Sequence, residues 1–506
     1  MRIHRRILGA AAVAAVPALV IAGCSGGTSG GASSGSAGTL TVAVGAVAAT
    51  WDPYKNDYGA EASDEQAAYD TLIRSDANGA FSPDLATAWE RLTPTEWQLT
   101  IRQGVKFADG SALTPEVVKE NLERAKTVVG PKTDQLSGLT SVTVDGDNVV
   151  LHLAQPDPAI PLDLSQVMGM VVSPKAIADP SLLSSGPDGA GPYVLDKSAT
   201  VLNSTYTFTR NPSYWDPKAF PYATVVLRVI PDPTAALNAV RSGQVQLTFG
   251  TAADVSAAKS AGLTILQQAG DFRGLWINDV TGKQVPALGS QKVRQAMLLA
   301  INRPAIVAFE GAGTPTAQIF PKGTTAYDPS LDQEYAQPHV AEAKQLLAEA
   351  GYPNGFPLTI TSISFFDSDA QPVAQDLNAI GIKATIKDVP LTEIASAVQT
   401  APVYFSTYAP IDTYYDARSL LLPDGGFNFA HKSDPELTAL VNQYAVATSL
   451  AQQQAIGKQI SHRVTQLGWF TVAYDTENFF FASKSVNAKM TPFEATVALW
   501  NIQPAS

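Results

Sequence analysis

Leu99-Thr100-Ile101-Arg102-Gln103-Gly104-Val105-Lys106-Phe107, followed by Asp109-Gly110, is the stretch on which the fold turns. From Trp97 through Ile101, apolar and polar residues alternate with the period of a half-buried strand. Asp109-Gly110 is a turn signal. Thr114 then stands as a helix cap, with Pro115 at the first position, where a missing N–H costs nothing. Val118, Leu122 and Ala125 give that helix one apolar face.

The same grammar extends in both directions. Thr39 to Val44 alternates and opens the fold as a strand. Ser141 to Val144 and Val149 to Leu153 flank Asp145-Gly146-Asp147-Asn148 as a β-hairpin; this acidic turn lacks the ligand spacing of a calcium loop. Tyr206 to Thr209 alternates, and Thr224 to Ile230 has the composition of a buried strand. Thr234 to Ser242 is a short helix ended by Gly243, the helix through Val293, Met297 and Ile301 follows, and Val340 to Ala350 is another, ended by Gly351. Strands over 358–363 and 382–389 precede a long helix over 449–466. Strands and helices alternate without a repeat, which predicts a multi-domain α/β protein.

The N-terminus has its own chemistry. Arg2, His4, Arg5 and Arg6 form a basic start, and Ile7 to Ala22 is an apolar run too short for a comfortable membrane span. Leu19-Val20-Ile21-Ala22-Gly23-Cys24 closes it and resembles a lipobox. In bacterial lipoproteins that thiol is acylated and the chain is cut just before it, so residues 1–23 are expected to be a lipoprotein signal peptide and Cys24 the lipidation site. Residues 24–38 are expected to be lipid anchor and Gly/Ser linker, with a reach of roughly 20 Å. The linker also contains Gly23-Cys24-Ser25-Gly26-Gly27, which matches the G-x-S-x-G hydrolase elbow but lacks the strand and helix that an elbow requires.

Composition excludes several function classes. Cys24 is the only cysteine, so an internal disulfide, a thiolate zinc site and a cysteine nucleophile are all ruled out. The net charge is −12, and loss of the three leader arginines makes the mature chain more acidic still. No basic stretch offers a surface for a phosphate backbone, so no nucleic-acid partner is expected. Beyond the leader, His152, His339, His431 and His462 include no pair at metal-ligand spacing. No metal and no cofactor are expected.

Several blocks then resemble one family in order. They are Tyr69-Asp70-Thr71-Leu72-Ile73 with Pro83-Asp84-Leu85-Ala86 and Ala88-Trp89-Glu90; the opening stretch; Val172-Ser173-Pro174-Lys175; Gly189-Ala190-Gly191-Pro192-Tyr193; Asn211-Pro212-Ser213-Tyr214-Trp215; Val293-Arg294-Gln295-Ala296; Ala300-Ile301-Asn302-Arg303; and Ala343 to Tyr352. Together they are similar to the extracellular solute-binding proteins of ABC importers of the oligopeptide, dipeptide and nickel type, family 5. Gly104, Gly110, Gly191 and Gly351 are expected to punctuate turns, and Trp89 and Phe107 to be core.

The resemblance implies an α/β, two-lobed periplasmic-binding-protein-like (Venus flytrap) fold with an extra inserted domain. Lobe I gathers 39–58, 172–267 and 478–506; the insert is 59–171; lobe II is 268–477. It implies a monomer without enzymatic activity that closes on a small peptide or related solute, serves an ABC permease and ATPase, and stays at the membrane through its N-terminal lipid. It places a ligand ammonium on Asp412, in Ile411-Asp412-Thr413-Tyr414-Tyr415-Asp416-Ala417. Ala409 and Pro410 stand where the family has tryptophan before the aspartate, and Ala417 replaces a proline. Trp276 and Asn278, after the second crossover, and Tyr54 and Tyr58, after the first strand, are further candidates, with Tyr408, Tyr414 and Tyr415. A solvated loop acid at Asp412 and core packing of Trp276 are the alternatives. A nickel chelate or an oligosaccharide in the same fold, and an exported hydrolase or an adhesin outside it, are the rival functions.

Overall fold

The computed structural model describes residues 37–56, 59, 62–363, 366–492 and 494–505. The leader, Cys24, most of the linker and Tyr58 lie outside the described residues. Among the described residues, no helix is long and apolar enough to cross a membrane.

An eleven-stranded sheet forms the backbone of the molecule. Its first half grows from the opening strand Ala37–Val44, which runs parallel to Tyr222–Val229 on one side and to Leu247–Gly250 on the other. Thr205–Arg210 and Tyr193–Leu195 extend this half antiparallel. The second half contains Val403–Tyr408, Pro357–Ser362 and Lys383–Asp388. Two long antiparallel strands, Thr264–Ile277 and Phe470–Ala482, belong to both halves. Their register runs from Thr264↔Ala482 to Trp276↔Phe470 and is broken by an irregularity between Ala269 and Phe272. Before the break, Thr264–Ile277 pairs only with its long partner; after it, Val403–Tyr408 joins the other edge. Thr476 to Asn478, opposite the break, are half-buried, whereas the strand is buried at both ends. The pair therefore crosses from one apolar core to another through a wetter middle.

A separate four-stranded antiparallel sheet follows the order Ala86–Thr93, Glu96–Ile101, Asn148–Leu153, Leu139–Asp145. The strict burial alternation of Glu96–Ile101 and Asn148–Leu153 explains why the stretch at 99–107 is so legible. Helix Pro115–Ala125 packs on this sheet, and Thr114 Oγ1 accepts from Val117 N, as its cap position predicts.

The family blocks prove to be structural clamps. The buried Asp70 accepts from Tyr214 Oη at 2.9 Å and from Trp215 Nε1 at 2.8 Å, joining two blocks far apart in the chain. Arg74 pairs with Asp84 at 2.8 Å. Arg303 is 1% exposed and donates to the carbonyls of Thr316, Val472, Tyr335 and Leu298, so carbonyl dipoles take the place of a carboxylate partner. Burial lowers its guanidinium to about 10. Phe107 is fully buried and Trp89 packs against the same core.

One expectation requires correction. Gly104, Gly110 and Gly351 do adopt left-handed backbone, with φ of 80°, 87° and 89°. Gly191 does not. It is glycine because a Cβ there would stand 2.3 Å from the carbonyl carbon of Ala68 and 2.5 Å from Tyr69 N.

Candidate functional site

A cleft of about 970 Å³ opens beside the crossover pair. Its walls come from distant parts of the chain: Ser75 to Phe81, Leu162 and Gln166, the edge strand Ile265 to Ala269, Lys322 to Thr325, Ile411 to Thr413, and Ala488 to Glu494. Both charge signs are present. Asp412 and Glu494 bring carboxyls, and the exposed Lys322 and Lys489 bring ammonium groups.

Of the described residues singled out from sequence, Asp412 alone lines this cleft. It is no loose loop acid. Its Oδ1 accepts from Tyr414 N at 2.7 Å and from Tyr415 N at 3.1 Å, which makes it the N-cap of helix Thr413–Leu421. Burial raises its carboxyl above the ordinary range, and the backbone N–H groups of Tyr415, Tyr414 and Thr413 pull it back. The helix thus fixes the carboxylate in direction at a position half-buried at the cleft wall.

The other described candidates lie elsewhere, each for a physical reason. Trp276 is 2% exposed and lies in an aromatic core, stacked on Tyr404 and Phe272 with centroids 5.5 and 5.9 Å away. Asn278 spends its amide on the carbonyls of Val398 and Ala401, where it holds a chain turn. Tyr408 donates to Asp416 at 3.0 Å within the core. Tyr414 donates to Pro156 O at 2.8 Å and stacks on Tyr444. Tyr415 is buried beneath Arg418. Tyr54 is fully buried, and its hydroxyl donates to Met170 O and Asn121 Oδ1. These tyrosines look like a binding cluster in sequence because aromatic residues serve cores and ligands alike.

Lys322, Lys489, Glu494 and Gln268 line the cleft without having been singled out. Single charges outside any motif carry no signal of their own; only the return of the chain after Ala482 brings residues 488–494 to this wall. Among the described residues, no three His, Cys, Asp or Glu side chains are grouped to hold a metal ion.

The chain resembles known proteins along most of its length. A profile described as bacterial extracellular solute-binding proteins, family 5 Middle, matches residues 80–426. The glutathione-binding protein GsiB of Salmonella typhi is 30% identical over 381 residues, which is 72% of each chain. HbpA2 from Haemophilus parasuis superposes with a TM-score of 0.79 at 22% identity, over 92% of this chain and 100% of that one. DppA from Helicobacter pylori, in complex with the peptide STSA, superposes with a TM-score of 0.74 at 19% identity, over 94% and 99%. Solute-binding proteins of this family are extracellular or periplasmic, deliver ligand to an ABC permease and ATPase, and are not enzymes. The two-lobed α/β chain described here belongs to the bacterial extracellular solute-binding proteins, family 5.

Proposed function

We propose that this protein captures di- or oligopeptides between its lobes and hands them to its importer while tethered to the outer face of the membrane by acylated Cys24. The observation that carries the peptide reading is Asp412: a half-buried, helix-capping carboxylate in the wall of a 970 Å³ cleft. A carboxylate enclosed by lobe closure requires a cationic partner, and a peptide's α-ammonium supplies one. Lys322 and Lys489 supply charges for a peptide's carboxylates. The glutathione named in GsiB and the peptide held by DppA are chemically consistent, since both carry an α-ammonium and carboxylates.

Closure hinges at the irregularity between Ala269 and Phe272, near the proposed lobe boundaries at 267/268 and 477/478. Ligand that touches both lobes favours the closed form by its differential contacts alone. The insert, 59–171, forms part of the same wall through Ser75 to Gln166.

Calorimetry with a peptide panel tests this. Asp412→Asn keeps the cap and removes the charge, and it should weaken peptide binding by about tenfold or more. An affinity equal to the parent's overturns the ammonium assignment. For the anchor, Cys24→Ser should abolish the lipid mass on the mature N-terminus; a parent protein without that mass overturns lipidation.

A further inference from the structure

Glu494 is 7% exposed and lines the cleft from the C-terminal segment, opposite in origin to the helix that carries Asp412. Its Oε2 is buried and meets no hydrogen-bond donor among the described residues. Its backbone is held at the cleft wall, because its main-chain carbonyl accepts from Gln268 Nε2 on the crossover strand at 2.5 Å. A buried polar atom left without a partner costs folding free energy, and one that faces a binding cleft has an obvious recipient for its bonds.

We propose that Glu494 is a second recognition carboxyl of this cleft, which takes an ammonium or guanidinium group of the ligand at a point separate from Asp412. The inference rests on the reading that the cleft takes peptides, and it narrows that reading to peptides with a basic side chain. The charges around Glu494 fit the role. Lys322, Lys489 and Asp412 line the same cleft, and Gln267 and Gln268 face it from the crossover strand, yet none of these neutralises Glu494. Burial alone raises its carboxyl to about 8. At neutral pH the empty site therefore holds a proton on Glu494. A ligand cation keeps its own protons and displaces that one to the buffer, so the buried carboxylate exchanges one positive partner for another.

The test is calorimetry at pH 7 in two buffers of different ionisation enthalpy, with trialanine, Ala-Lys-Ala, Ala-Ala-Lys and cadaverine as probes. In the parent protein, the best lysyl peptide should bind at least about tenfold more tightly than trialanine and release close to one proton. Glu494→Gln, which is isosteric, should abolish both the proton release and the preference for the lysyl peptide. Trialanine binding without a lysyl preference, or a preference that survives Glu494→Gln, overturns the role of Glu494 and leaves the peptide reading intact. Binding of cadaverine alone, lost in Glu494→Gln, supports Glu494 and overturns the peptide reading. Binding of none of the four overturns both.

Discussion

Arg418 Nη1 lies 3.4 Å from Asp157 Oδ2, so the helix capped by Asp412 is tied to the segment that follows the four-stranded sheet. Tyr414 Oη reinforces the tie by donating to Pro156 O at 2.8 Å, and a neighbouring bond, Arg91 Nη2 to Ala445 O at 2.8 Å, joins strand Ala86–Thr93 to helix Pro435–Val446. Burial raises the Asp157 carboxyl to about 6 against the pull of Arg418. Arg418→Met should cost about 1–2 kcal/mol of stability, since the arginine is only partly desolvated. It should also enlarge the radius of gyration of the ligand-free protein in small-angle scattering. A scattering curve identical to the parent's would remove this strap from the closing motion.

Asp412 has a structural role that can be measured separately from binding. Asp412→Ala deletes the bonds to Tyr414 N and Tyr415 N and should cost about 1 kcal/mol in denaturant unfolding. Asp412→Asn should stay within a few tenths of the parent, because asparagine caps about as well. Equal losses in the two variants would mean that charge, not the cap bond, sustains the helix.

Gly191 tests the close-approach account against the turn account. Its amide donates to Ala68 O at 3.1 Å, and a Cβ would overlap the Ala68–Tyr69 backbone. Gly191→Ala should destabilise by more than the roughly 1 kcal/mol at which glycine and alanine ordinarily differ in regular structure, because neither backbone can retreat. A thermal midpoint unchanged by the substitution would contradict the packing described.

Lys432 gives a pH signature. It is 4% exposed, its Nζ reaches Ile277 O at 3.3 Å, and it lies over Trp469 and Phe470. Burial, helped by Arg294, lowers its ammonium to about 7 from 10.5. The unfolded chain therefore binds this proton more tightly than the folded one, so protonation favours unfolding. The contribution of Lys432 to stability should be level below pH 7 and rise between about 7 and 10.5. Lys432→Met should remove that rise and stabilise the protein at pH 7. A parent-minus-variant difference in unfolding free energy that is flat across this window would refute the assignment.

Local structure was legible wherever one face of an element meets a core and the other meets water. Glu96–Ile101 alternates in burial residue by residue, and Thr114-Pro115 begins its helix where the cap chemistry says it should. The crossover strand Thr264–Ile277 was not read, because it leaves one core and enters another and so has no single period. The helix Thr413–Leu421 carries no such signal, since the capping bonds of Asp412 look in sequence like any Asp-Thr pair.

The candidate site was legible in one residue. Asp412 was found through a motif, whereas Lys322, Lys489 and Glu494 belong to none. The sequence by itself determined the α/β class, the family and the candidacy of Asp412, because local period, composition and residue order are properties of the chain. Tertiary structure alone decided which tyrosines and tryptophans are core, why Gly191 must be glycine, and that residues 75, 268, 322, 412 and 494 share one cleft. Those facts depend on contacts between residues hundreds of positions apart, and no local pattern encodes which of two chemically equal side chains ends up against ligand and which against a neighbouring strand.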